Sequence, residues 1–348
     1  MPDRYDLLLQ GTVFLDVVLT GLPALPSRGT ETLAEGMGSC PGGIANLAIA
    51  ASRLGLRTAL AAAFGDDVYA DFCWTTLQDQ EGVDLSHSRR FTGWHSPVTV
   101  SMVVDRDRAM VTHAHPAPIP PSEIIGEPPA ARAGFVHIEA EPQPWVAAAA
   151  ADGMLLFADV GWDPVEEWSP KVLAQLGSYH AFLPNSVEAM AYTRTDDPHD
   201  ALHALADRVP VAVVTCGGEG ALAIDATTGE EEWVPAFPVN AYDPTGAGDV
   251  FGAAFVLGTL GGWPLRQRLA FANLCAGLSV QYVGGSLAAP GWGDIIDWLS
   301  GVRARAADGS ATAREHAAAY AFLDSVLPSS GRIAVRRASA TIARASDA

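Results

Sequence analysis

Apolar and polar positions along this chain alternate in a strand-then-helix rhythm. Leu7 to Leu9 is a short apolar run that predicts a first strand, followed by Gly11 and then by Val13-Phe14-Leu15-Asp16. From Gly21 to Gly43 the density of Gly and Pro predicts a loop. Asn46 to Leu54 is small and apolar, with Arg53 near its end and Gly55 after it, which predicts a buried helix. Thr58 to Phe64 then predicts a strand closed by Gly65-Asp66-Asp67, and Asp71 to Gln80 a helix running up to Gly82. This alternation points to an α/β sandwich.

The rhythm changes after Arg89. Val98, Val100, Met102 and Val104 alternate with Thr99, Ser101 and Val103; Asp105 to Arg108 is a charged turn, and Ala109 to Thr112 runs back. The pattern predicts a hairpin half exposed to solvent, placed over a ligand cleft. Pro116 to Pro129 is a proline-rich connector. Strands are then predicted at Phe135 to Ile138, Leu155 to Asp159, Tyr179 to Leu183, Val211 to Thr215 and Ala221 to Ile224. Several end in polar residues or glycine, as expected where an open α/β sheet binds ligand beyond its carboxyl ends. Helices are predicted at Asp249 to Leu260 and Leu265 to Tyr282, the second broken by Gly284-Gly285, with another beginning at Asp294 to Leu299. The tail is Ala- and Arg-rich with one apolar patch at residues 319–323. Arg332 to Ala348 holds too few large apolar residues for a core, so the extension is expected to be peripheral or at a subunit contact.

Composition narrows the possibilities. A chain of 348 residues with 49% hydrophobic and 18% charged positions can bury a sizeable core in one large or two modest domains. A net charge of −19 argues against nucleic acid or an anionic membrane as partner, while leaving a nucleotide substrate open. Cys40, Cys73, Cys216 and Cys275 are dispersed, with no CxxC pair, and read as buried small hydrophobes in a reducing compartment. No leader-like opening and no apolar run of membrane-spanning length is seen, so a cytoplasmic location is expected.

The most informative stretch is Asn240-Ala241-Tyr242-Asp243-Pro244-Thr245-Gly246-Ala247-Gly248-Asp249-Val250-Phe251. Polar turn residues cross a Gly-x-Gly and enter a run suited to a buried helix. That is the layout of an anion cradle, in which backbone N–H groups and a helix start face a negative ligand. Lys171 is the chain's sole lysine, which excludes a lysine-led Walker loop. An acid inside such a cradle suits removal of a proton from a hydroxyl that attacks a phosphoryl group.

Two separated patterns resemble the PfkB, or ribokinase-like, family of sugar and nucleoside kinases. The first is Gly42-Gly43-Ile44-Ala45-Asn46 with Arg53-Leu54-Gly55 and Phe64-Gly65-Asp66-Asp67; the second is Asp243-Pro244-Thr245-Gly246-Ala247-Gly248-Asp249. The resemblance spans roughly residues 5–300 and omits the tail. It implies a three-layer α/β/α sandwich with a central, mainly parallel sheet and a small β lid. A kinase domain over 1–305 would carry lid segments at about 12–37 and 90–115, followed by the extension at 306–348. The implied activity is ATP-dependent transfer of the γ-phosphate to a hydroxyl of a small sugar. A nucleoside acceptor, or a non-catalytic sugar-binding protein on the same fold, stands as the alternative.

By the same resemblance Asp249 is the catalytic base and Gly246, Ala247 and Gly248 the anion hole. Asp16, Gly42, Gly43 and Asn46 join Asp249 in the acceptor site. Thr215, Gly217, Gly218, Gly220, Thr245, Asn273 and Gly277 line the nucleotide. Asn185 and Glu188 organise Mg²⁺, largely through water; their spacing also suits a helix cap. Pro244 stands where the family usually has Thr, and bears on whether a monovalent cation such as K⁺ is used. Gly161 and Asp163 depart from the family's Asp-x-Asn-x-Arg pattern, which weakens any specific sugar assignment. Trp94, His95, Met102, His113 and His115 lie near the implied lid. Exposed edge strands in a lid often pair with a partner subunit, which predicts a homodimer through it.

Overall fold

The computed structural model describes residues 4–104, 107–161, 163, 165–328 and 331–338. In chain order the strands are β1 (Tyr5–Gln10), β2 (Val13–Thr20), β3 (Gly36–Gly43), β4 (Thr58–Ala61), β5 (Ala63–Phe64), β6 (Arg89–Arg90) and β7 (Val98–Val104). There follow β8 (Asp107–His113), β9 (Ala131–His137), β10 (Leu155–Asp159), β11 (Ala181–Phe182), β12 (Val211–Thr215), β13 (Ala221–Asp225) and β14 (Glu230–Val234). Eight form one sheet in the order β14-β13-β12-β11-β10-β9-β1-β4. Its pairings are parallel from β4 to β12 and antiparallel at β13 and β14.

The central strands are apolar throughout because both faces are covered. Leu7 and Leu9 enter one core and Leu8 the other, as the two-residue period of a strand requires. The first core holds the helices Ile44–Arg53, Ala247–Leu260 and Leu265–Ser279; the second receives Trp145, Leu202 and Leu205 from helices on the opposite face. This is the expected three-layer arrangement. Small residues let the Ala247–Leu260 helix lie close to the sheet: a Cβ at Gly252 would stand 3.1 Å from the Phe135 ring.

A second sheet, in the order β3-β2-β7-β8, stands apart from the first. The expected Gly21–Gly43 loop is therefore only half a loop, since residues 36–43 pair with β2 along its whole length. Glycine-rich β3 gains its ladder from the apolar partner strand, against local propensity. On β7 the buried residues are Thr99, Ser101 and Val103. The inward face of this hairpin is thus its polar one, because Asp16, Thr99 and Thr112 form one cross-strand row. Part of the predicted turn, residues 105–106, lies outside the described residues.

Other boundaries shift. The strand expected at Thr58 to Phe64 breaks at Ala62, and β5 pairs instead with β6. The Asp71–Gln80 helix is an α-helix over Val68–Thr75, capped by Asp67, running into a π-turn at Thr76–Gln80. The helix begun at Asp294 runs over Trp292–Ala307, and the Ala311–Ala319 helix packs beside it. Beyond it, residues 331–338 lie along the same helix through Arg336–Asp297 and Arg337–Asp294 pairs. Residues 339–348 of the extension lie outside the described residues.

Arg53 ties these parts together. It is buried, pairs with Glu81 through both carboxylate oxygens, and donates to the Leu287 and Ala289 carbonyls. Arg53→Met leaves Glu81 charged and buried without its partner. The expected loss is about 3–5 kcal/mol of stability, read by chemical denaturation.

Candidate active site

The site is built at the carboxyl ends of the parallel strands, where the Ala247–Leu260 helix begins. Gly246 caps that helix in the left-handed region (φ 73°), which glycine adopts without strain. Asp243 fixes the preceding turn: one carboxylate oxygen accepts the Thr245 N–H at 2.9 Å, the other the Gly284 N–H at 3.1 Å. The Ala247 N–H donates back to the Pro244 carbonyl at 3.2 Å. The Gly248 and Asp249 N–H groups, in the first turn, have no helical carbonyl four residues back. Within this turn the N–H groups without a helical acceptor are therefore these two, while that of Ala247 is used by Pro244. The Thr245 hydroxyl is buried with no partner within the protein.

Asn46 comes from the other motif, in the first turn of the Ile44–Arg53 helix, and meets Asp249 directly. Its amide nitrogen donates to Asp249 Oδ2 at 3.0 Å across 203 residues of chain. Its amide oxygen is buried and unpaired. Gly246 allows the approach, since a Cβ there would stand 3.1 Å from Asn46 Cγ. Asp16, on β2, lies under Gly42, whose missing side chain leaves room for the carboxylate. Gly43 ends β3 and precedes the same helix. Asp16, Gly42, Gly43, Asn46, Gly246 and Asp249 thus converge.

The electrostatics are acidic. Burial raises the Asp249 carboxyl above its ordinary range, opposed by His137 and by the Asn46 hydrogen bond. Burial, then Asp249 and Asp243, push Asp16 up to about 7, with Arg108 opposing. Arg108 was expected in an exposed turn, yet its charge acts on Asp16. Asp159, at the end of β10, is held well above its ordinary range by burial and then by Glu188 and Asp249. Glu188 is itself raised by burial.

The residues expected to hold nucleotide and metal form a second group. Asn185 caps the Ser186–Thr193 helix in a reciprocal box: its side chain accepts the Glu188 N–H, and Glu188 Oε2 accepts the Asn185 N–H, each at 3.0 Å. Thr215 bridges to Asn185, which joins the Gly217, Gly218 and Gly220 loop to this cap. A Cβ at Gly220 would collide with the backbone of Val234 and Ala236. Asn273 donates to the Val234 and Pro235 carbonyls, and Gly277 packs under Phe237. Both therefore hold the segment 234–237 that faces the glycine loop. Among the described residues no group of three or more His, Cys, Asp or Glu is arranged to hold a metal ion.

Three residues not assigned to the site from the sequence stand at strand ends here. His137 Nε2 stands 3.9 Å from Asp249 Oδ1, and Asp159 is its neighbour in register. Gln10 ends β1 in register with Val136, its side chain on the sheet face of Trp145. Their shared signal is position at the carboxyl end of a parallel strand. A cleft of about 1060 Å³ opens here, lined by Gln10, Phe14, Trp94, His115, His137 and Glu139 among others. His95, His113 and His115 stack edge-on in series, while Asp66 accepts the Gly93 N–H in a turn.

A family profile described as pfkB family carbohydrate kinase matches residues 23–291. The chain belongs to the pfkB carbohydrate kinase family. Among the pfkB kinases it resembles, a 5-dehydro-2-deoxygluconokinase from Geobacillus thermodenitrificans is 24% identical over 314 residues, covering 80% of this chain and 88% of the relative. Ribokinase from Bacillus subtilis is 26% identical over 299 residues, covering 83% and 98%. A solved structure described as a putative ribokinase II from E. coli in complex with ATP and Mg²⁺ superposes with a TM-score of 0.71 at 18% identity, covering 85% and 99%. No described helix of this pfkB kinase is long and apolar enough to cross a membrane.

Asp16 gives the site a pH signature. Its carboxyl holds a proton up to about pH 7 when folded and only up to its ordinary value of 3.8 when unfolded. Burying the charged form therefore costs stability increasingly between these values, and fully above pH 7. Asp16→Asn is expected to raise the melting temperature relative to wild type by more at pH 8 than at pH 5. An equal difference at both would contradict the buried-acid assignment.

Proposed function

We propose that this pfkB kinase transfers the γ-phosphate of ATP to a hydroxyl of an uncharged sugar, with Asp249 as general base. The observation that carries this is the Asn46–Asp249 hydrogen bond, which joins the acceptor motif to the anion cradle. A hydroxyl held by Asp16 and the unpaired Asn46 oxygen lies within reach of Asp249. The carboxylate takes its proton as that oxygen forms its bond to the γ-phosphorus and the bond to the ADP oxygen breaks. In this turn the N–H groups of Gly248 and Asp249 would face the charge on the transferring oxygens.

Nucleotide is assigned to the Thr215–Gly220 loop, Thr245 and the segment held by Asn273 and Gly277. The buried pair Asp159 and Glu188, with Asn185, is a set of hard oxygen donors suited to Mg²⁺, which keeps several waters. That ion would neutralise phosphate charge. Asp243 and the Gly284 loop form the turn to which a monovalent cation such as K⁺ is assigned, with Pro244 as the distinctive residue. The second sheet is read as the lid over a domain spanning 1–305. Exposed Met110 and Val111 on edge strand β8 suit a homodimer formed through it. The extension is read as peripheral and the protein as cytoplasmic. The size of the cleft favours a second reading, a nucleoside-like acceptor.

Asp249→Asn keeps the side-chain shape and the contact to Asn46 while removing the base. It is expected to lower kcat by about 10²–10⁴-fold with the acceptor KM nearly unchanged, measured as ADP release with sugars and nucleosides. If the variant turns over as fast as wild type, or if no acceptor stimulates turnover, the chain is a sugar-binding protein on a kinase fold.

A further inference from the structure

The cleft beyond His137 contains a polar group that the phosphoryl-transfer machinery does not use. Gln10 ends β1, is only 4% exposed and lines the cleft. Its amide oxygen accepts the indole N–H of Trp145 at 2.9 Å. Because an indole nitrogen only donates, the amide is fixed: its oxygen faces Trp145, and its NH₂ is turned away from it. That nitrogen is buried and has no partner within the protein. A buried, orientation-locked donor is a costly feature until an acceptor atom reaches it.

The surroundings say what carries that atom. Gln10 is the register partner of Val136, the residue before His137, and Gln10 and His137 both line this cleft. Phe14, Trp94, Pro118 and Ile119 give the cleft apolar walls, while Glu139 and Asp163 make it acidic. None of the described residues lining it is Lys or Arg. A carboxylate or phosphate on the substrate would be disfavoured there. At about 1060 Å³ the cleft also exceeds the needs of one monosaccharide, since pockets of about 300–1,000 Å³ hold drug-sized ligands.

We propose that this region is a second subsite, in which Gln10 donates to an oxygen or ring nitrogen of a neutral group attached to the sugar. The acceptor is then an uncharged O- or N-linked glycoside, nucleosides included, rather than a free monosaccharide, a sugar acid or a sugar phosphate. This rests on the kinase reading above and deepens it.

ADP release by the wild-type protein is to be compared across free pentoses and hexoses, neutral glycosides and nucleosides, and sugar acids and phosphates. The same panel is run on Gln10→Met, Gln10→Glu and Asp249→Asn. Gln10→Glu retains the oxygen for Trp145 and so separates loss of the donor from loss of packing. The expected result is at least a tenfold preference in kcat/KM for one or more neutral glycosides, which collapses about tenfold in both Gln10 variants through KM. A wild-type preference for free sugars or sugar acids, or a glycoside preference untouched in the Gln10 variants, overturns the subsite and leaves the kinase reading standing. Undiminished turnover by Asp249→Asn, or no turnover with any class, overturns the kinase reading itself.

Discussion

The hydrogen bond from Asn46 to Asp249 is the joint on which this site depends. It closes a contact between two helix starts 203 residues apart, so it forms only when the two motifs are folded onto the same end of the sheet. It fixes the Asp249 carboxylate beside the first-turn N–H groups and leaves the Asn46 oxygen buried without a partner within the protein. Gly246 permits the approach, Asp243 holds the turn to the Gly284 loop, and Arg53 holds the far end of the Asn46 helix to the Leu287 and Ala289 carbonyls. These contacts tie the Gly42–Asn46 segment and the Asp243–Asp249 turn into one frame, the arrangement that the proposed transfer needs.

The same region concentrates acids. Asp16, Asp159, Glu188 and Asp249 are largely buried, and each has its carboxyl raised above the ordinary range mainly by that burial. In the proposed reading phosphate binding is assigned to backbone N–H groups and a helix start rather than to the chain's one lysine. On that reading an acidic acceptor end and a dipolar phosphate end would separate the two substrates by charge. This suits an uncharged polyol at Asp16 and discourages a second anion beside it.

The site was legible in the sequence where chemistry is local. The Asp243–Asp249 run and Gly42 to Asn46 are short, contiguous patterns whose geometry follows from glycine and a helix start, and the structure brings them together. Asn185 and Glu188 were legible as a helix cap for the same reason. What escaped depends on tertiary placement. His137, Asp159 and Gln10 are single residues at strand ends, meaningful only once β1, β9 and β10 lie side by side. The polar inward face of β7 escaped because an alternating pattern does not say which face is covered. β3 escaped because a Gly- and Pro-rich segment has no strand propensity of its own and takes its form from β2. The central parallel sheet was readable because strands buried on both faces must be apolar throughout.

The claim at the centre is that Asp249, held by Asn46 and faced by His137, takes the acceptor proton. The pH dependence of kcat, compared between wild type and His137→Asn, tests it most directly. A buried base of raised proton affinity gives an acid limb above the ordinary carboxylate range, and since His137 lowers that affinity, its removal moves the limb to higher pH. An acid limb in the ordinary carboxylate range, or one unmoved by the substitution, would contradict Asp249 as the base.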